Sequence, residues 1–84
     1  MSTPYPNPFN PSAQVRFQAG RSGRLVIGLY DLLGREVVRL FDAEVESGRS
    51  ADVTIDGRGL SSGTYLVRAA DGVETRVRSV TLLK

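Results

Sequence analysis

The sequence predicts an all-β sandwich of six to seven mainly antiparallel strands. Apolar and polar residues alternate in several short segments, the period expected of strands with one buried face. These segments recur roughly every ten residues, with glycine-containing turn sequences between them and no helical period. The 84 residues suffice for one domain, near the lower size at which a core is stable without disulfides or metals.

The chain begins with a proline-rich segment. Residues 4–12 (PYPNPFNPS) contain all 4 prolines, and proline favours an extended, irregular backbone. Tyr5 and Phe9 are expected to place their rings over one end of the core. We therefore divide the chain into an extended arm over residues 1–12, at the junction with an upstream domain, and a folded domain over residues 13–84.

A short first strand is predicted over residues 14–19, and a β-hairpin over residues 25–40 is predicted to be the centre of the fold. Leucine and isoleucine alternate with other residues on its first strand, and Tyr30 lies on the less buried face. The turn at residues 31–34 begins with Asp31 and ends with Gly34, where glycine suits a positive φ.

Two leucines interrupt the alternation at this turn. Leu32 and Leu33 lie in or beside it, and one of them is expected to cap the core.

The next segment is polar and is followed by another strand. Residues 42–48 (DAEVESG) are predicted to form a loop, with a brief edge strand around Val45 as an alternative. Ala51, Val53 and Ile55 then share one face of a strand, and that face is predicted to be buried.

A glycine-rich corner, residues 56–65, leads into the penultimate strand. Gly63 precedes Tyr65 by two residues, and a tyrosine here commonly donates a hydrogen bond to the upstream backbone in immunoglobulin-like sandwiches. Tyr65, Val67 and Ala69 are expected to face inward. The predicted fold is therefore an immunoglobulin-like β-sandwich.

The last strand is predicted over residues 74–84, after a tight turn at Asp71 and Gly72. Its alternation is imperfect, so we expect a bulge or a change of face near Ser79.

Composition excludes several classes of function. The chain has 11 basic and 9 acidic residues, and this small net charge does not favour nucleic-acid or membrane-surface binding. No cysteine, histidine or tryptophan is present. Ser61 and Ser62 have no histidine that could activate them, so they are interpreted as turn residues. No enzymatic activity is expected.

No cofactor or metal is expected either. Five acidic residues could supply oxygen ligands to calcium, but they lack the spacing of a calcium loop. They are Asp42, Glu44, Glu46, Asp52 and Asp56. The glycines of residues 57–63 are followed by a strand rather than a helix, so they do not form a phosphate-binding loop.

The order of the motifs resembles a known family. The chain reads YPNPFNP over residues 5–11, LYDLLGREV over residues 29–37, DGR over residues 56–58, and ends in VTLLK. The family's structural motif maps onto Asn7, Pro8, Phe9, Asn10, Pro11, Tyr30, Asp31, Gly34, Gly63 and Tyr65. Over residues 5–84 the chain is similar to the type A C-terminal sorting domains of Bacteroidetes-type bacteria.

This resemblance implies a non-catalytic signal for the type IX secretion system. Such a domain directs an upstream cargo domain of the same chain through the periplasm to the cell surface or medium, and a sortase typically removes it. The implied partners are the translocon and the sortase. The opening lacks the charged and apolar regions of a signal peptide, so we expect either a cytoplasmic protein or, in agreement with the resemblance, a piece of a larger one. No stretch is long and apolar enough to be a transmembrane segment.

The end of the chain is predicted to carry the recognised surface. A terminal strand at a sheet edge exposes backbone groups that a partner can extend by strand addition. The candidate recognition residues are Val80, Thr81, Leu82, Leu83 and Lys84.

Two alternatives remain open at this point. A carbohydrate-binding module of a polysaccharide-degrading enzyme would use Tyr30 and another exposed ring. A structural accessory module, like the immunoglobulin-like domain of flagellar hook-capping proteins that the hairpin also resembles, would self-associate instead.

Overall fold

The computed structural model describes all 84 residues and contains six strands and no helix. The strands are β1 (Ser12–Gln18), β2 (Gly23–Tyr30), β3 (Glu36–Val45), β4 (Ser50–Asp56), β5 (Gly63–Ala70) and β6 (Thr75–Leu82). All pairings are antiparallel: β1 pairs with β4, and a four-stranded sheet has the order β3-β2-β5-β6. The predicted all-β, immunoglobulin-like sandwich is confirmed, with six strands.

A single apolar core lies between the two sheets. Every strand except β3 contributes fully buried side chains to it, and no polar or charged residue is buried. The alternation read from the sequence holds on β4, where Ala51, Val53 and Ile55 are buried, and on β5, where Tyr65, Val67 and Ala69 are buried.

The central hairpin is confirmed, but its second strand is longer than expected. β2 pairs with β3 from Tyr30 back to Gly23, opposite Val45. Residues 42–45 are therefore strand, and the loop predicted over residues 42–48 is wrong in its first half. The edge strand offered as an alternative around Val45 is present, as the end of β3. Cross-strand pairing explains the difference, because the polar side chain of Asp42 forms an ion pair with Arg24 of β2 at 2.7 Å.

The turn of this hairpin is as predicted except for its leucines. Gly34 has a φ of +85°, the positive value expected of it. Leu32 and Leu33 are 67% and 79% exposed, so the expectation that one of them caps the core is wrong. The carboxylate of Asp31 accepts hydrogen bonds from the backbone N–H groups of Leu33 and Arg35. The turn is thus held by polar contacts and needs no apolar anchor.

The last strand is regular. β6 pairs residue by residue with β5 from Thr75 to Leu82, without a register shift, so the bulge or change of face predicted near Ser79 is wrong. Its imperfect alternation arises because its early residues, such as Arg76, lie beyond the core and are exposed on both faces. The register shifts occur instead between β2 and β3.

The aromatic side chains of the arm differ from each other. The ring of Phe9 is 1% exposed and belongs to the core, as predicted. Tyr5 is 79% exposed, so the expectation that its ring covers the core is wrong. Its backbone pairs with Gln14 of β1, which holds the residue at the edge of the sheet with the ring outside.

Candidate functional site

The predicted recognition residues lie at the end of β6, the outermost strand of the four-stranded sheet, and in the two residues that follow it. β6 pairs with β5 on one side only. Val80 and Leu82 are fully buried, whereas Thr81 is half-buried and Leu83 and Lys84 are exposed. The structure therefore divides the predicted set into two core side chains and three side chains that a partner could reach.

The arm covers the outer edge of the second half of β6. The N–H of Phe9 donates to the carbonyl of Thr81 at 2.8 Å, and the N–H of Leu83 donates to the carbonyl of Phe9 at 3.0 Å. The side-chain amide of Asn7 accepts from the N–H of Thr81 at 3.0 Å and donates to the carbonyl of Ser79 at 3.4 Å. Asn7 and Phe9 therefore occupy the position of an additional strand.

The same arm reaches the other sheet. The backbone N–H and carbonyl groups of Tyr5 exchange hydrogen bonds with those of Gln14 at 3.0 and 2.8 Å. Ser2 bonds to Arg16 through its backbone N–H and its hydroxyl, both at 2.8 Å. The arm thus runs from the edge of β1 to the edge of β6 and closes one side of the sandwich.

The end of the chain contacts the glycine-rich corner. The backbone N–H of Gly57 donates to the carbonyl of Pro11 at 2.7 Å. A Cβ on Gly57 would lie 2.8 Å from the Leu82 side chain and 2.9 Å from that carbonyl, so no larger residue fits without displacing them. Lys84 donates its backbone N–H to the hydroxyl of Ser62 and its ammonium group to the carbonyl of Arg58.

Three aspartates that end or directly follow strands hold the turns. Asp31, Asp56 and Asp71 each accept a backbone N–H from two residues further on. Backbone N–H donation, chiefly from Arg35 to Asp31 and from Glu74 to Asp71, stabilises the ionised form and lowers the pKa of these two carboxyls. The pKa of Asp56 falls to about 2, chiefly through its side-chain hydrogen bonds with Arg58.

The tyrosine corner is confirmed. The hydroxyl of Tyr65 donates to the carbonyl of Ser61 at 2.6 Å. Gly63 begins β5 with a φ of +153°, which residues with a side chain rarely adopt. These two motif residues therefore shape the entry into β5.

Tyr30 contributes to a shallow depression on the outer face of the four-stranded sheet. The guanidinium of Arg68 lies 5.8 Å from the centre of its ring. Leu66, Val77 and Gly34 complete the lining, and the volume is about 360 Å³.

A family model described as the secretion system C-terminal sorting domain matches residues 3–82. The chain belongs to this family. No curated protein and no solved structure matches the chain. The sorting domain is a signal of the type IX secretion system, so it interacts with the secretion machinery and with a cargo chain and directs export to the cell surface or extracellular space.

The family is in general non-catalytic, and the serines of this sorting domain have structural contacts. Ser61 accepts the Tyr65 hydrogen bond through its carbonyl, and Ser62 accepts the Lys84 N–H. No three or more acidic side chains are grouped so that they could hold a metal ion. No helix of the sorting domain could cross a membrane.

The rings that a glycan-binding face would need are not in one row. Tyr5 lies at the edge of β1, and Tyr30 lies on the four-stranded sheet. No finding supports the carbohydrate-binding or structural alternative.

Sequence reasoning missed the partners that hold the arm. Gln14, Arg16 and Gly57 contact it through backbone groups, which carry no sequence signal. Gly57, directly after the last residue of β4, was the one indication in the sequence, because a glycine there indicates that another backbone segment approaches closely.

Proposed function

We propose that the sorting domain is a non-catalytic address that is recognised through the accessible end of its last strand. Thr81, Leu83 and Lys84 are the candidate contact residues, because their side chains are at least partly exposed. Val80 and Leu82 act indirectly by maintaining the fold. The observation that carries this proposal is the division of the terminal residues into buried and exposed positions. The chain belongs to a family of sorting signals, so the exposed positions are available to the secretion machinery.

The proposed route follows from the family. The cargo crosses the inner membrane by its own signal peptide, folds in the periplasm and leaves through the outer membrane, after which a sortase removes the domain. The division into an arm over residues 1–12 and a domain over residues 13–84 stays part of this proposal. Pairing of the arm with both sheets supports a role in tying the junction with the cargo to the folded domain.

The test fuses the sorting domain to a signal peptide and a fluorescent reporter in a host with the type IX machinery. Truncation after Ser79 is unsuitable, because it removes two core side chains and the backbone groups that bind the arm. We would instead compare the double variant Leu83→Ala/Lys84→Ala with Leu33→Ala, which alters an exposed leucine at the far hairpin.

We expect the double variant to fold like the wild type and to leave the reporter in the periplasm, whereas the Leu33→Ala fusion is exported. Normal export of a folded double variant would refute recognition through these residues. Retention of the wild-type fusion would contradict the sorting function of this chain in that host.

A further inference from the structure

The arm leaves the first half of the β6 edge uncovered. In an antiparallel ladder, the backbone groups of successive residues point alternately toward and away from the partner strand. Thr81 directs its N–H and carbonyl to the arm, away from β5. By this alternation, the N–H and carbonyl groups of Thr75 and Val77 also point away from β5, and no arm residue pairs with them. The carbonyl of Ser79 accepts the side-chain amide of Asn7, so the open strand edge consists of the backbone groups of Thr75 and Val77 and the N–H of Ser79.

Two arginines beside this edge have no carboxylate partner. Eight of the ten arginines form ion pairs. The two exceptions are Arg68 and Arg78. Arg68 lies over the ring of Tyr30, and Arg78 donates to the carbonyls of Val77 and Met1.

These two arginines lie on opposite faces of the same ladder. Arg68 pairs in register with Val77, and Arg78 is the next residue of β6, so their side chains point to opposite faces. Elsewhere on the outer face, Arg24 and Arg39 are neutralised by Glu36 and Asp42. Uncompensated positive charge is thus concentrated on both sides of the open edge.

The side chains around the edge also suit an added strand. Val77 is 43% exposed and lines the depression with Leu66 and Tyr30, so it offers apolar contact to one face of the incoming segment. A residue opposite Val77 would lie about 10 Å from Arg68, two strand spacings away, within the combined reach of a glutamate and an arginine. The adjacent residue of the incoming segment would lie one strand spacing from Arg78, with its side chain on the same face as Arg78.

We propose that residues 75–79 of β6 are a docking edge for an extended, acidic segment of the secretion machinery. The segment adds to the sheet as a strand, and carboxylates at two neighbouring positions pair with Arg68 and Arg78. The carbonyl of Val77 exchanges its bond with Arg78 for one with the partner's backbone N–H. This inference rests on the proposed sorting function. It adds residues 75–79 to the contacts proposed at the end of the chain and names the partner chemistry that they fit.

The first test is a titration of the isotopically labelled sorting domain, followed by NMR. The probe is an end-capped eight-residue peptide of alternating threonine and valine with two adjacent glutamates at its centre. We expect shifts in the amides of Val77 and Ser79, with little change at the arm-bonded amides of Thr81 and Leu83. A matched peptide with glutamines should bind about fivefold more weakly, the loss expected for two exposed ion pairs.

Equal binding of the two peptides would overturn the role of charge. Shifts confined to β3, or none, would overturn the docking edge itself.

Variants of the sorting domain separate charge from stability. Arg68→Gln/Arg78→Gln should weaken binding of the glutamate peptide about fivefold, the same loss as removing the carboxylates. The control Arg35→Gln/Arg49→Gln removes two ion-paired arginines and should leave binding unchanged. Val77→Pro removes an outward N–H and should abolish binding. Equal weakening by the control would refute the assignment of Arg68 and Arg78.

Reporter export distinguishes this inference from the function on which it rests. If the wild-type fusion is exported and the folded Arg68→Gln/Arg78→Gln fusion is retained, the docking edge is supported. If both are exported equally, the docking edge is refuted while sorting stands. If the wild-type fusion is retained, the sorting proposal fails, and the peptide titration decides the docking edge separately.

Discussion

Replacement of Phe9 by alanine tests whether the arm is an integral part of the fold. The ring is 1% exposed, and removing a buried phenylalanine side chain costs about 3–5 kcal/mol. A domain of 84 residues has a total stability of about 4–13 kcal/mol. The substitution therefore removes a large part of the free energy of unfolding and should lower Tm by at least about 12 °C.

Urea denaturation followed by circular dichroism measures this change, and Tyr5→Ala is the matched control. The Tyr5 ring is 79% exposed, so its loss should change the free energy of unfolding by less than about 0.5 kcal/mol. We also expect faster hydrogen exchange of the Thr81 and Leu83 amides in Phe9→Ala, because both are bonded to the arm. A loss below about 1 kcal/mol for Phe9→Ala would refute the reasoning, since a ring that contributes so little does not belong to the core.

Three further predictions concern the corner and its charge. Tyr65→Phe removes one hydrogen bond to Ser61 and should cost about 0.5–1.5 kcal/mol in urea denaturation; an unchanged midpoint would contradict the tyrosine corner. Gly57→Ala should cost about 1–3 kcal/mol through overpacking, and wild-type stability would show that the corner has room for a Cβ. Asp56 should titrate near pH 2 by carboxyl NMR, against an ordinary value of 3.8. Because its folded pKa is lowered, its stabilising contribution is complete above about pH 4 and is lost as the pH falls through 2. Arg58→Gln should raise the pH midpoint of the Asp56 titration. An unchanged midpoint would exclude Arg58 as the main cause of the lowered pKa.

The strand pattern was predictable because it depends on a local property. Alternation of apolar residues placed Val53 and Val67 in the core, and Gly34 marked the hairpin turn. The alternation rule was wrong where hydrogen bonding to a neighbouring strand extended a strand into a polar segment. β3 continues through the polar residues 42–45 because β2 supplies hydrogen bonds and an ion pair across the ladder.

The accessible part of the candidate site was not predictable in the same way. The terminal sequence indicated its family, but Val80, Leu82 and Leu83 are all apolar, and only packing separates the first two from the third. Asn7 was assigned to a structural motif. Its position on the β6 edge depends on backbone groups more than seventy residues away along the chain.

The sequence by itself determined the strand alternation, the turn glycines, the tyrosine corner and the order of family motifs, because each depends on residues close together in the chain. The tertiary structure alone decided which half of the β6 edge is open and which arginines lack a carboxylate. The first outcome depends on distant segments, because the arm meets residues 79–83. The second depends on them in part, because Arg16, Arg21 and Arg24 meet carboxylates from distant parts of the chain. The other five paired arginines bond to acidic residues within four positions of them. A backbone group at a strand edge and an arginine at the surface have the same chemistry wherever they occur in the chain. Only their neighbours in space decide whether they are paired or open.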